Sequence, residues 1–182
     1  MIKIVSFIIL ILLSPILFMV AIFILLEDGY PILFKQKRLG KNNNHFLIYK
    51  FRTMKNNTPD IATHLLNESH FSYTKSGPLL RKFSIDELPQ LINIVKGEMT
   101  FIGPRPALHN QNDLIELRTK LDIQTLLPGI TGWAQVNGRD ELSIEKKVEF
   151  DYFYKTNKSI LLDIKIIFLT VIKVFKTESV SL

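Results

Sequence analysis

SIDELPQLINIVKGEMTFIGPRP, residues 84–106, holds a helix start, an apolar helix face and a rigid turn in one continuous run. Ser84 followed three residues later by Glu87 has the spacing of a capping box, in which each side chain satisfies a free backbone N–H at the head of a helix. Asp86 falls inside the same first turn. Leu88, Leu91, Ile92 and Val95 then recur at helical spacing until Gly97 supplies a stop signal. Acidic residues are favoured in any first turn, by about 0.3–1 kcal/mol each, so two carboxylates there are compatible with a purely structural role. The tail of the run argues for more. Arg105 stands between Pro104 and Pro106, which restrict the backbone on both sides and make the guanidinium a pre-set donor fork for phosphate or carboxylate. A helix N-terminus and a fixed arginine are together the elements of an anion site.

Toward the N-terminus, Leu79, Leu80, Arg81, Lys82 and Phe83 lead into this run, and their bases are placed to hold a phosphate group beside Asp86. At the far N-terminus, Ile4 to Leu26 is almost wholly apolar and about as long as a bilayer-spanning helix requires. A cleaved signal peptide is the rival reading, but the run is long for one and Glu27-Asp28-Gly29-Tyr30 offers no small-residue cleavage site. Ser14-Pro15 interrupts the segment at its middle, where proline removes a helix hydrogen bond and kinks the axis. Lys3 lies before the segment and Lys35, Lys37, Arg38 and Lys41 lie after it. Positive charge at both ends fits a segment that enters and leaves by one face.

Ile32 to Arg38 and Phe46 to Thr53 are rich in β-formers and flank the turn-forming LGKNNNH, the pattern of a hairpin or of a strand leading into a helix. Lys50, Arg52 and Lys55 alternate with Tyr49, Phe51 and Met54, which predicts a basic face opposite a buried one. Asn56 to Ser76 reads as a loop with a short helix over Ile61 to Leu66, and His64 and His70 lack a metal-ligand partner at suitable spacing. Beyond Pro106 the expected elements are an amphipathic helix over about Leu108 to Leu121, a glycine-rich turn cluster LPGITGWAQVNGRD, and helices over Ser143 to Tyr154 and Ile160 to Phe175. Within the cluster, Trp133, Gln135, Asn137 and Arg139 suit stacking on, and hydrogen bonding to, a base or sugar, with a structural turn as the alternative. Most of the charges of Ser143 to Tyr154, Glu145, Lys146, Lys147, Glu149 and Asp151 among them, read as surface pairs worth little. In the last helix Ile164, Ile167, Phe168, Val171, Ile172 and Phe175 share a broad apolar face, and Leu162, Ile166 and Leu169 fall on the polar arc. That excess suggests a helix lying on a membrane, with a core-facing helix as the alternative.

The 182 residues suffice for one modest domain plus an anchor. With 23 Lys+Arg against 17 Asp+Glu, the net charge of +6 suits an anionic partner, whether nucleic acid, membrane or nucleotide diphosphate. There is no cysteine, which excludes disulfides, zinc thiolates and a thiol nucleophile.

The runs LRKFSIDELPQLINIVKGEMTFIGPRP and LPGITGWAQVNGR, with the apolar segment upstream, resemble the bacterial sugar transferases, the small monotopic phosphoglycosyl transferases, over nearly the whole chain. The resemblance implies an α+β fold: a re-entrant, Pro-kinked membrane helix bent at Ser14-Pro15 (residues 1–28), then a small, mostly helical cytosolic catalytic domain (29–182) with a short β-hairpin and membrane-surface amphipathic helices. It implies transfer of a sugar-1-phosphate from a UDP-sugar to undecaprenyl phosphate on the cytoplasmic face of the bacterial inner membrane, as the first step of glycoconjugate assembly, with membrane lipids and no nucleic acid as partners. Asp86 is then the nucleophile that forms an aspartyl-phosphosugar intermediate. Glu87 is its capping, proton-handling or metal-holding neighbour, and Mg²⁺ rests on Asp86 or Glu87. Arg81, Arg105, Gln135, Asn137 and Arg139 are substrate-binding, and Lys50 and Arg52 meet lipid phosphate. The chain departs from the family pattern at Gly77-Pro78 and at Phe83, which bears on the packing of the segment before the nucleophile. A Mg²⁺-dependent membrane phosphohydrolase and a non-catalytic anionic-lipid-binding protein are the competing readings.

Overall fold

A computed structural model describes residues 1–55, 73–138 and 141–176. The short helix expected over Ile61 to Leu66, both histidines within 56–72, and Arg139 lie outside those residues. The chain is α+β and divides into two compact units. One contains residues 1–36 and 48–95, and the other contains 37–47 and 96–179.

The first unit begins with α1 (Ile2–Asp28), which carries Pro15 inside it and is long and apolar enough to cross a membrane. Its side chains Leu17, Val20, Ala21 and Ile24 pack with Phe51, Leu80 and Ile85, while most of its other large apolar residues are exposed. Ser6, near the other end, is buried and donates its hydroxyl to the Leu91 carbonyl at 3.0 Å. The acidic pair that closes α1 is also bound. Glu27 accepts the backbone N–H groups of Lys75 and Ser76, and Asp28 pairs with Arg52 at 3.0 Å. Strands β1 (Leu33–Leu39) and β2 (His45–Phe51) form the expected hairpin around a turn in which Asn42 and Asn43 take left-handed backbone. Asparagine is among the few residues that tolerate that region.

The alternation of basic and buried faces on β2 does not hold. Arg52 is only 4% exposed, because its guanidinium Nη2 donates to the carbonyls of Asp28 (2.8 Å) and Gly29 (2.9 Å) as well as facing the Asp28 carboxylate. Arg52 therefore fastens the end of α1 from inside and does not lie at a lipid-facing surface.

After α2 (Gly77–Lys82), the decisive run folds in two pieces, a 3-10 turn over Ile85–Gln90 followed by α3 (Leu91–Lys96), and Gly97 ends it at a φ of 87°. Pro89 is the cause, since it cannot donate into a continuous α-helical ladder. The capping box is not formed. Ser84 has φ 54° and ψ 23°, a left-handed conformation in place of the extended backbone of an N-cap, and its side chain makes no capping bond. Ile94, not Ile92, is the fully buried apolar residue of α3.

In the second unit, β3 (Thr100–Ile102) runs parallel to β4 (Gly129–Thr131), with Thr100 opposite Gly129 and Ile102 opposite Thr131. The glycine-rich run read as turns is thus half strand, continued by the short α5 (Trp133–Val136). Its glycines permit close backbone approach. A Cβ on Gly129 would collide with the Gly103 nitrogen and the Thr131 carbonyl, and one on Gly132 with the Gly103 carbonyl. Helices α4 (Asn112–Lys120) and α6 (Ile144–Asn157) bury Leu114 and Val148 with Ala107 and Ile123. Ser143 caps α6 by accepting the Lys146 N–H at 3.2 Å.

Helix α7 (Ile160–Lys176) puts its two apolar sides to different uses. The residues that strayed onto the polar arc are the ones that pack: Ile166 is fully buried with Val136 and Tyr154, flanked by Leu162 and Leu169. The broad apolar face is left out, with Ile164, Ile167, Phe168, Val171 and Phe175 all exposed. Tyr154 donates its hydroxyl to Asp163 at 2.8 Å, and burial together with that carboxylate pushes the phenol well above its usual range.

Gly129→Ala is expected to destabilise the protein by at least about 1–3 kcal/mol, the cost of overpacking against backbone that has no room to yield. Thermal unfolding in detergent, beside Gly40→Ala, which meets mainly a phenylalanine ring, is the comparison that checks it.

Candidate functional site

Asp86 and Glu87 are adjacent carboxylates in the first turn of the Ile85–Gln90 segment, and both are buried, at 6% and 7% exposure. Carboxylates are seldom this buried without a partner. Glu87 Oε1 accepts Lys50 Nζ at 2.7 Å, so the lysine of β2, placed by the resemblance at lipid phosphate, is a counter-ion of Glu87. That bond also explains why Glu87 does not reach back to close a capping box. A 3-10 turn of six residues carries a smaller dipole than a full helix. The environment of Asp86 is therefore set chiefly by its burial and neighbours and only weakly by a macrodipole. Among the described residues no group of three or more His, Asp or Glu is arranged to hold a metal ion.

Arg81, on α2 in the same unit, donates Nε to Thr53 Oγ1 (3.2 Å) and Nη1 to the Tyr73 hydroxyl (3.0 Å), with its guanidinium 5.2 Å from the Tyr73 ring centre. Gln90, one 3-10 turn beyond Glu87, is 1% exposed, and its Nε2 donor has no hydrogen-bond partner. Ser14 and Pro15 are exposed on α1, and Ser14 Oγ donates to the Ile11 carbonyl at 2.7 Å.

The second unit holds Arg105, Gln135 and Asn137. Arg105 is half-buried and lines a cavity of about 30 Å³ with Pro104, Pro106, Arg118 and Gln124. That is room for about two waters and not for a sugar ring. Gln135 is buried with neither its Oε1 nor its Nε2 hydrogen-bonded. Asn137 is exposed and donates Nδ2 to the Trp133 carbonyl at 2.7 Å, finishing the short helix α5. Trp133 stacks on Phe153 (centroids 5.6 Å apart, 27° between planes), with Lys165 Nζ 5.3 Å from its ring.

Sequence reasoning missed Asp151, which it read among the surface charges of α6. It is 1% exposed, and its Oδ2 accepts Arg118 Nε at 3.0 Å and Nη2 at 2.6 Å. Burial pushes the Asp151 carboxyl up, with the Arg118 guanidinium pulling against it. Single-helix periodicity gives no sign of this pairing, because α6 alternates charge and aromatic on every face.

The sequence matches the bacterial sugar transferase family over residues 2–177. It is 46% identical over 168 residues to the uncharacterized sugar transferase EpsL of Bacillus subtilis (strain 168), covering 91% of this chain and 80% of the relative. It is 42% identical over 183 residues to the UDP-glucose:undecaprenyl-phosphate glucose-1-phosphate transferase of Escherichia coli (strain K12), covering 94% of this chain and 38% of that protein. To the UDP-N-acetylgalactosamine-undecaprenyl-phosphate N-acetylgalactosaminephosphotransferase of Aeromonas hydrophila it is 38% identical over 163 residues, covering 87% of this chain and 38% of the relative.

Lys50→Met is expected to cost about 1–3 kcal/mol of stability by leaving the Glu87 carboxylate buried without its ammonium. Lys146→Met at the exposed Lys146 to Glu149 pair should change it by less than about 1 kcal/mol. Denaturant melts of the two variants side by side check the contrast, and equal losses would mean that the Lys50 pair is as solvated as the Lys146 pair.

Proposed function

The chain belongs to the bacterial sugar transferase family, and on that premise we propose that it moves a sugar-1-phosphate from a UDP-sugar to undecaprenyl phosphate at a membrane. The observation that carries this reading is the placement of the buried Asp86 and Glu87 pair in the same unit as the apolar helix α1. Ser6 of that helix bonds the Leu91 carbonyl, five residues beyond Asp86. A lipid phosphate has to reach the reacting group from the apolar layer, and this contact ties the two together.

Asp86 acts as the nucleophile. A carboxylate oxygen attacks the β-phosphorus of the donor, an O–P bond forms, the bond to UMP breaks, and an aspartyl-phosphosugar remains. A phosphate oxygen of undecaprenyl phosphate then attacks that phosphorus and the bond to Asp86 breaks, which restores the carboxylate and releases the lipid diphosphate sugar. Glu87, neutralised by Lys50, keeps a second negative charge from repelling the donor. Arg105 and Arg81 hold donor phosphates, and the unsatisfied amide of Gln135, with Asn137, takes up the polar edge of the sugar or base. Arg139 is assigned to the same role by its place in the motif. Mg²⁺ would neutralise diphosphate charge, and Asp86 or Glu87 would be the residue that holds it. The relatives from E. coli and A. hydrophila are named for different sugars, so the sugar carried here is left to measurement.

Two features support a re-entrant helix and a catalytic unit lying on the cytoplasmic face of the inner membrane. A helix of 27 residues is about 40 Å long, and one that crossed the bilayer would leave Ser6 on the side away from the catalytic unit. Its hydrogen bond to Leu91 keeps that end of α1 beside the unit that carries Asp86, which supports a helix that does not leave by the opposite face. The exposed apolar face of α7 supplies a second contact with the lipid layer.

Purified protein in detergent, given a panel of UDP-sugars with Mg²⁺, should release UMP from one of them only when undecaprenyl phosphate is present, and Asp86→Asn should lower the rate about a thousandfold or more. Release without lipid would replace transfer by hydrolysis, and a fully active Asp86→Asn protein would remove the nucleophile assignment. For α7, a single tryptophan placed by Phe168→Trp in a Trp133→Phe background should be quenched by vesicles carrying brominated acyl chains. Emission that stays unquenched would take α7 off the membrane.

A further inference from the structure

Pro104, Arg105, Pro106 and Ala107 present four consecutive backbone carbonyls, and each is held by a donor from elsewhere in the same unit. The Gly129 N–H binds the Pro104 carbonyl at 3.0 Å, and Arg118 Nη1 binds that of Arg105 at 2.8 Å. Arg38 Nη1 binds the Pro106 carbonyl at 3.0 Å, and the Leu39 N–H binds that of Ala107 at 3.0 Å. Two of the four positions are prolines, which have no N–H to offer, so this loop cannot fasten itself as a turn or strand does and depends on donors brought to its carbonyls.

Two of those donors are guanidinium groups spent on neutral carbonyls. Arg118 is 9% exposed and is paired in the interior with Asp151, whose Oδ2 accepts its Nε and Nη2 while its Nη1 reaches the Arg105 carbonyl. A buried ion pair of this kind commonly adds nothing to stability over an apolar pair of the same volume. What it adds here is direction. The planar fork of Arg118 joins α6 to the backbone of one residue, and that residue is the arginine between the prolines.

We propose that Arg118, oriented by Asp151, and Arg38 are positioning residues that lock the Pro104–Ala107 backbone and thereby fix the direction in which Arg105 presents its guanidinium to a phosphate of the donor. The part concerning donor phosphate rests on the function proposed above, and the locking does not. Neither Arg118 nor Arg38 touches substrate; each acts through Arg105.

The test has two arms on the full-length protein in detergent. Steady-state UMP release is measured for wild type, Arg118→Lys, Arg38→Met and Arg105→Ala, and for Arg118→Lys and Arg38→Met each combined with Arg105→Ala. Lysine keeps the charge beside Asp151 but cannot serve two acceptors in a fixed plane, and Arg38→Met leaves the buried Asp151 pair intact, so one variant remains informative if the other folds poorly. Each single variant should lower kcat/KM for the UDP-sugar about ten- to a hundredfold, mainly through KM, because a displaced arginine loses donor contact. A merely structural defect would lower kcat by reducing the active fraction and leave KM unchanged. In the Arg105→Ala background both substitutions should cost less than about twofold. Full additivity there, or unchanged kinetics in both single variants, would overturn the proposal. The second arm needs no activity: hydrogen exchange at the Leu39 and Gly129 amides, which end on the loop's carbonyls, should speed up in Arg118→Lys and Arg38→Met. Unchanged exchange in both variants would show that no lock exists, and accelerated exchange with no UMP release from wild type would keep the lock while removing the donor.

Discussion

The buried hydrogen bond from Ser6 to the Leu91 carbonyl ties an apolar helix of 27 residues to the segment that carries the acidic pair, and the organisation of the first unit follows from it. A hydroxyl inside an apolar helix must find an acceptor when water is excluded. The acceptor here belongs to the residue that opens α3. At the other end of α1, Arg52 gathers the carbonyls of Asp28 and Gly29, and Glu27 receives two N–H groups from the segment before α2. The helix is thus bound to its unit at both ends by polar contacts, while the residues between them that point outward are apolar and exposed.

Both units use arginine in one way. Arg52 in the first and Arg118 in the second are buried, and each faces a single carboxylate and also donates to main-chain carbonyls. Carbonyls at a helix end or beside a proline have no regular partner, and a planar fork reaches several of them at a fixed angle. Lysine serves differently. Lys50 meets Glu87 as a point charge, and Lys165 lies over the Trp133 ring.

Much of this was legible beforehand because it depends on local pattern. The apolar segment, the hairpin of β1 and β2, the stop at Gly97 and the extent of α7 all follow from spacing and turn chemistry within a few residues. The rest depended on contacts between distant parts of the chain. The capping box at Ser84 lost to a left-handed backbone and to a lysine 37 residues away that claimed Glu87. Parallel pairing of β3 with β4 joins runs of three residues, too short for any alternation to register. Asp151 looked like its neighbours on α6 because only Arg118, 33 residues away, makes it an interior residue. On α7 periodicity finds the larger apolar arc and cannot say that the smaller one, on the polar side, is the arc that meets the core. For the site, the acidic pair and Arg105 were visible as residue types, and the groups that hold them were not.

The two-sided apolarity of α7 has a bearing on how this protein behaves once removed from lipid. Ile166 and its neighbours are occupied by the core, so the outer row from Ile160 to Phe175 cannot turn inward without giving up the packing around Tyr154. In plain buffer that row would be satisfied by a second copy of itself, and the resulting self-association would be a property of the solvent and not of the assembly state in the cell.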